Sequence, residues 1–147
     1  KHAAYTAAML CAMQQMPLDS AMFYDARFGT SMYGGLFNPM TREPLGAYYA
    51  FIAFNELYKL GREVSVETNT AFCADAPQAE PFVLAARGET RGAVLVVNAT
   101  SAAMPFDLRA DGALTSCRLT DKDHTYAETA VPAVLPPESF VLLEYAL

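Results

Sequence analysis

The groups able to do chemistry in this chain are scattered. Glu43 and Glu56 fall in a helical stretch, Glu63, Glu67 and Glu144 in strand-like runs, and Asp75, Asp121 and Asp123 in loops. No two of them share the setting that paired acid/base work requires. Ser20, Ser31, Ser101, Ser116 and Ser139 have neither a strand-to-helix elbow nor a nearby histidine. Cys11, Cys73 and Cys117 are odd in number, widely spaced and without a C-x-x-C, so they read as buried free thiols instead of a zinc site or a disulfide framework. Asp121, Asp123 and His124 could seat a cation, but the loop lacks the sharp-turn glycine and the distal bidentate glutamate of a calcium loop, which favours a solvated turn. His2 has no ligand-type neighbour. Neither a metal nor a cofactor is therefore expected. Asn98-Ala99-Thr100 fits the glycosylation sequon, although nothing marks a secretory route. One stretch suggests binding: residues 26–40, ARFGTSMYGGLFNPM, set Arg27, Phe28, Tyr33, Phe37 and Asn38 on a loop with Gly29, Gly34, Gly35 and Pro39.

Composition narrows the class further. With 147 residues, 53% hydrophobic and 18% charged, the chain can bury a substantial core. Its net charge of −6 and the lack of a basic cluster argue against nucleic acid as a partner. No apolar run reaches the roughly 18 to 20 residues of a membrane span, and the opening stretch lacks the pattern of a signal peptide. Unpaired cysteines and the missing signal favour a cytoplasmic location. The opening Lys1-His2, without Met and already in a helical pattern, looks like a piece of something longer, though a trimmed terminus would look the same.

The elements that must position the loop lie on both sides of it. Residues 41–61, TREPLGAYYAFIAFNELYKLG, read as one helix: Thr41 as cap, Glu43 and Pro44 in the first turn, and Gly61 as a left-handed stop. Its large side chains, from Leu45 to Tyr58, point all round the axis, so it is expected to lie between two layers. Residues 3–16 read as a second helix ended by Pro17, with Tyr5, Met9, Ala12, Met13 and Met16 as its core-facing stripe. Asp19–Ala26 reads as a short buried strand, apolar on both faces.

After Gly61 the period changes to alternation. Val64 and Val66, Phe82–Ala86, Ala93–Val97, Met104–Leu108, Leu114–Leu119 and Phe140–Tyr145 are strand-like. Asp111-Gly112 marks one hairpin and Gly88–Gly92 a second, and Ala93–Val97 is predicted to be a central strand covered on both faces. The expected fold class is α+β: an antiparallel β-sandwich of about 7 to 8 strands, preceded by a helix–strand–helix slice that cannot close a parallel sheet by itself. The expected domains are residues 1–61 and 62–147.

MFYDAR at 22–27, GLFNPMTREPLGAYYAFIAFNELYKLG at 35–61 and the closing LPPESFVLLEYAL resemble the C-terminal end of bacterial retaining glycoside hydrolases built on a (β/α)8 barrel, especially the family 39 type of β-xylosidases. The resemblance implies that residues 1–61 are the last αβα slice of such a barrel and that the sandwich packs against it. Residues 22–38 would then lie at the barrel's C-terminal mouth, where Tyr24, Asp25, Arg27 and Asn38 could contact sugar hydroxyls and Tyr33 or Phe37 could stack on a sugar face. The family takes both catalytic carboxylates from the ends of the fourth and seventh strands, which are not in these residues. The implied function is a non-catalytic region of a carbohydrate-cleaving enzyme whose sandwich buttresses the barrel, with carbohydrate as the partner through the parent. The alternative is a sandwich that itself binds carbohydrate, or a homo-oligomer that buries its helix faces; the absence of Trp counts against glycan binding.

Overall fold

The computed structural model describes residues 1–23, 34–68 and 81–147. Over these residues the chain is α+β, and most of the alternating runs after Gly61 become strands, though Val66 and residues 106–108 stay outside them and two short strands were not expected: β1 (Arg62–Val64), β2 (Phe82–Arg87), β3 (Arg91–Asn98), β4 (Met104–Pro105), β5 (Ala113–Thr120), β6 (Ala127–Glu128), β7 (Val134–Leu135) and β8 (Ser139–Ala146). Six of them form one antiparallel sheet in the order β1-β2-β3-β8-β5-β6, while β4 and β7 form a two-stranded sheet.

The two-residue period of a strand decides which side chains meet which layer. On β3, Ala93, Leu95 and Val97 join Phe140 and Leu142 of β8 beneath the helices, whereas Val94 and Val96 join Val141, Leu143 and Tyr145 on the opposite side. There the small sheet and the following segment close the sandwich with Leu135, Met104, Phe106 and Leu108. The central position expected for Ala93–Val97 is the one found, between β2 and β8. Leu95, Val97, Phe140, Val141, Leu142 and Leu143 are fully buried. At about 1.5 to 3 kcal/mol for each large side chain, the β3–β8 pair supplies much of the core's stabilisation.

The hairpin at Gly88–Gly92 forms, closed by the Gly88 N–H donating to the Arg91 carbonyl at 2.8 Å. Asp111-Gly112 does not join paired strands, because β4 pairs with β7 and β5 with β8. Gly112 does adopt a φ of 98°. Its lack of a side chain answers a close approach: a Cβ there would collide with the Ala146 carbonyl at the end of β8.

Two helices cover one face of the large sheet, α1 (His2–Gln14) and α2 (Gly46–Leu60). They run parallel. At one end a Cβ on Gly46 would come within 2.9 Å of the Ala3 Cβ. At the other, Gln14 and Gln15 at the end of α1 donate to the Glu63 carboxylate, three residues beyond α2, at 3.2 and 2.7 Å. The expected core stripe of α1 is corrected. Ala4, Ala7, Ala8 and Cys11 are buried, whereas Tyr5 is 64% and Met16 55% exposed. Small residues at i, i+3, i+4 and i+7 let the helix sit close to its neighbours, which leaves Met9, Ala12 and Met13 of the expected stripe half-buried and Tyr5 and Met16 exposed. α2 follows the same rule, burying Ala47, Ala50, Ala53 and Leu57 between α1 and the sheet while Tyr58 is exposed.

Two further expectations change. The helix begins at Gly46, with Leu45 as N-cap and no side-chain cap, and ends as predicted at Gly61, φ 80°. Thr41 is not its cap, because the preceding residues are held in a separate turn described below. Of the strand expected over Asp19–Ala26, residues 19–23 are irregular and exposed, with Met22 at 95%; residues 24–26 lie outside the described residues. No helix among the described residues is long and apolar enough to cross a membrane.

Candidate functional site

Of the residues expected to touch a ligand, Phe37 and Asn38 are described, whereas Tyr24, Asp25, Arg27 and Tyr33 lie outside the described residues, as does Cys73. Asn38 is the hub of a tight turn. Its Oδ1 accepts from the Met40 and Thr41 amides at 2.9 and 3.1 Å, and its carbonyl accepts from the Arg42 amide at 2.9 Å. Its own amide donates to the Glu43 carbonyl at 2.8 Å, and Leu45 donates to Leu36 at 2.8 Å, with a bridge between Phe37 and Pro44. Arg42 completes the reversal at φ 64°. This is the competition by which an Asn side chain draws backbone amides out of a helix, and it explains why α2 starts five residues after Thr41. Glu43 is held locally by the Thr41 hydroxyl at 2.9 Å.

The turn leads into the first helical turn of α2 through aromatic contacts. Phe37 packs on Tyr48 with ring centroids 5.3 Å apart, Tyr48 meets Tyr49 edge-on at 5.5 Å, and Tyr49 stacks on Tyr126 at 5.3 Å with 19° between the planes. All three separations fall in the favourable range for aromatic pairs. Tyr126, from the loop between β5 and β6, also carries the Arg118 guanidinium 5.4 Å from its ring centroid. Arg118 and Arg91 both pair with Glu144, whose side chain is only 10% exposed. Sequence reading found no role for Tyr126, Arg118 or Glu144, since they converge from three strands or loops.

Tyr126 is placed at some cost. Its φ is 53°, uncommon for a bulky side chain. Its hydroxyl is buried without a hydrogen-bond partner of normal geometry. Burial pushes the phenol pKa up, with Glu144 and Glu56 acting in the same direction and the adjacent Arg118 opposing them.

A cleft of about 220 Å³ opens at this end of the molecule, between the starts of both helices, Gly34, Gly35 and the Thr120–Thr125 turn. Asp121 on its wall is committed to that turn. Its Oδ1 accepts from the Asp123 and His124 amides at 2.8 and 2.7 Å and meets His124 Nδ1 at 2.9 Å. Burial pushes its pKa up, but those hydrogen bonds outweigh it and hold the carboxyl below the usual range. A general acid needs the opposite shift. Among the described residues no group of three or more His, Cys, Asp or Glu side chains is placed to hold a metal.

Several of the remaining carboxylates have structural partners, and Asp75 lies outside the described residues. Glu56 pairs with Lys59, Glu63 with Gln14 and Gln15, and Glu144 with two arginines. The Cys11 thiol is pushed up to about 12 by burial, which leaves no thiolate for nucleophilic work near neutrality. Cys117 is raised by burial too. Asn98 of the sequon is fully buried, and its Nδ2 donates to the carbonyls of Ala102, Pro136 and Leu135. That amide nitrogen is inaccessible to a glycosylating enzyme in the folded chain.

No family model and no curated protein sequence matches this chain. Solved structures do match its fold. A glycoside hydrolase family 30 subfamily 8 xylanase from Clostridium acetobutylicum superposes with a TM-score of 0.61 at 14% identity, over 99% of this chain and 39% of the xylanase. A family 30 endoxylanase from Clostridium papyrosolvens C71 gives 0.52 at 18% identity, over 80% of this chain and 32% of its own length. The chain thus spans well under half of either enzyme. These neighbours share the fold of this chain and do not single out family 39.

Proposed function

We propose that the chain is the C-terminal region of a carbohydrate-active enzyme of the family 30 or family 39 type, in which the sandwich buttresses a catalytic (β/α)8 barrel and is itself non-catalytic. The observation that carries this reading is the parallel course of α1 and α2, with exposed apolar groups on the described start of the connection between them. Two successive helices run parallel only if the chain between them travels back along their length, and in an α/β unit that return leg is a buried strand. Here Met16, Leu18 and Met22 after α1, and Tyr5 on it, are exposed apolar groups of the kind neighbouring barrel strands and helices cover. On this reading residues 1–61 belong to the barrel and 62–147 to the sandwich, Tyr24, Asp25, Arg27, Tyr33, Phe37 and Asn38 border the substrate mouth, and both catalytic glutamates come from elsewhere in the parent. The neighbours named as xylanases make xylan the first substrate to test.

The test is hydrolysis of xylan, followed by reducing-sugar release, with the 147-residue chain alone and with a parent polypeptide that carries it. Turnover by the parent and none by the chain is expected. Turnover by the chain alone would overturn the non-catalytic assignment, and a parent inactive on xylan and other glycans would overturn the enzyme class. Saturable binding of xylan oligosaccharides to the isolated chain would favour the alternative, a sandwich that binds carbohydrate.

A further inference from the structure

Among the described residues, a series of ring contacts joins the Asn38 turn to the sandwich through Tyr126. Phe37, Tyr48, Tyr49 and Tyr126 form a continuous series of ring contacts, each between 5.3 and 5.5 Å. Three members lie within twelve residues of one another, whereas Tyr126 arrives from the far side of the chain. Its placement has two independent costs: a left-handed backbone at φ 53° and a buried hydroxyl with no partner. A strained residue persists only when its surroundings over-determine it. The surroundings of Tyr126 include Tyr49 stacked on its ring, the core layer beneath the helices, and the Arg118 guanidinium that pairs with Glu144, with its amide donating to the Thr120 hydroxyl at 2.9 Å.

We propose that Tyr126 is a positioning residue, a wedge through which the rigid sheet fixes the orientation of α2's first turn and of the Asn38 turn that precedes it. This rests on the reading above that Phe37 and Asn38 border a carbohydrate site; it adds that the sandwich sets the geometry of that border as well as supporting the barrel. The ring carries the coupling. The hydroxyl, buried without a hydrogen bond of normal geometry, does not.

The experiment is amide hydrogen exchange on the full 147-residue chain, comparing wild type with Tyr126→Leu, Tyr126→Phe and Leu135→Ala. The reporters are the Asn38, Arg42 and Leu45 amides, each hydrogen-bonded within the turn. The reference amides are those of Leu95 and Leu142 in the central sheet. Tyr126→Leu should speed exchange at the turn by roughly two- to tenfold relative to the sheet, the loss of one aromatic contact. Tyr126→Phe should restore wild-type rates. Leu135→Ala, on the opposite face of the sheet, should leave the ratio of turn to sheet unchanged. If Tyr126→Leu proves too unstable to measure, Tyr49→Leu breaks the same contact from the helix side and should give the same selective loss. A turn-to-sheet ratio unchanged in Tyr126→Leu and Tyr49→Leu, or an effect of Tyr126→Phe as large as that of Tyr126→Leu, would overturn the proposal. An inactive parent on glycans would sink the functional reading and leave this coupling standing, so the two failures are distinguishable.

Discussion

Replacing Asn98 should destabilise the chain far more than its place in a sequon suggests. The residue ends β3, is fully buried, and uses both ends of its amide. Nδ2 donates to the Ala102 and Pro136 carbonyls at 2.8 and 2.9 Å and, more weakly, to Leu135 at 3.3 Å; Oδ1 accepts from the Thr100 amide and hydroxyl at 3.0 and 2.7 Å. Two of the partners keep another donor after truncation. The Ser139 hydroxyl also donates to Pro136 O at 2.6 Å, and the Thr100 hydroxyl reaches Ala102 O at 3.1 Å. Four good hydrogen bonds at about 1 kcal/mol each, reduced by that compensation and increased by the stranded Leu135 carbonyl and Thr100 amide, put Asn98→Ala at about 3 kcal/mol. In urea, with a slope of about 2 kcal/mol/M, the midpoint should fall by roughly 1.5 M. Asn98→Asp supplies the sign. Its second oxygen would face carbonyls where a donor stood, so the folded state favours the neutral acid and raises the pKa above the unfolded value of about 3.9. Its stability should therefore be greatest below about pH 4 and fall as pH rises through the folded value. A loss below about 1 kcal/mol for Asn98→Ala, no pH dependence for Asn98→Asp, or a glycan found on Asn98 of folded protein would refute this account.

Three other perturbations probe separate parts of the structure. Gly112→Ala meets both a positive φ and the Ala146 carbonyl; it should cost at least about 2 kcal/mol and lower the thermal midpoint by several degrees, while Gly61→Ala, where the space beyond Cα is open, should cost less. Cys11 should stay unmodified by a thiol-specific disulfide reagent at pH 8 in native protein and react only after denaturation, as read by peptide mapping; rapid native labelling would contradict its burial and a pKa near 12. Asp121 is depressed in the folded state by its turn hydrogen bonds. Its contribution is present above the unfolded carboxylate pKa and lost as pH falls through the folded value. Asp121→Asn should flatten the acid limb of a stability-versus-pH curve below about pH 4, and an unchanged limb would show that the turn does not sense the charge.

The sheet was legible because a two-residue period is a local property. Val94 and Val96 face one layer and Leu95 and Val97 the other, as alternation requires. The side of α1 that faces the core was not legible. Its sequence offers two stripes, one of alanines with Cys11 and one of methionines with Tyr5, and hydrophobicity favours the second. Close packing favours the first, because a helix lying against both a sheet and a parallel helix has room only for small side chains. The start of α2 was lost for another reason: Thr41 is a good cap, but Asn38 three residues earlier captures the amides first.

The same distinction separates the parts of the candidate site that could be read from those that could not. A glycine-rich loop with aromatics, which includes Phe37 and Asn38, announces itself by composition. Tyr126 does not, since nothing in DKDHTYAE indicates that its ring will stack on a helix whose sequence lies some seventy residues earlier. Yet its two local costs are visible once the backbone is known, and they differ in what they permit. The orphaned hydroxyl could be removed by a single change to Phe without altering the stack, while the left-handed backbone is shared by any residue in that place. Tyr126→Phe should therefore match or slightly exceed wild-type stability, by up to about 1 kcal/mol, and Tyr126→Gly should relax the backbone yet lose the ring. If Tyr126→Gly proves at least as stable as Tyr126→Phe, the ring contributes less than the strain it imposes, and the aromatic series between the sheet and the Asn38 turn is packing without consequence.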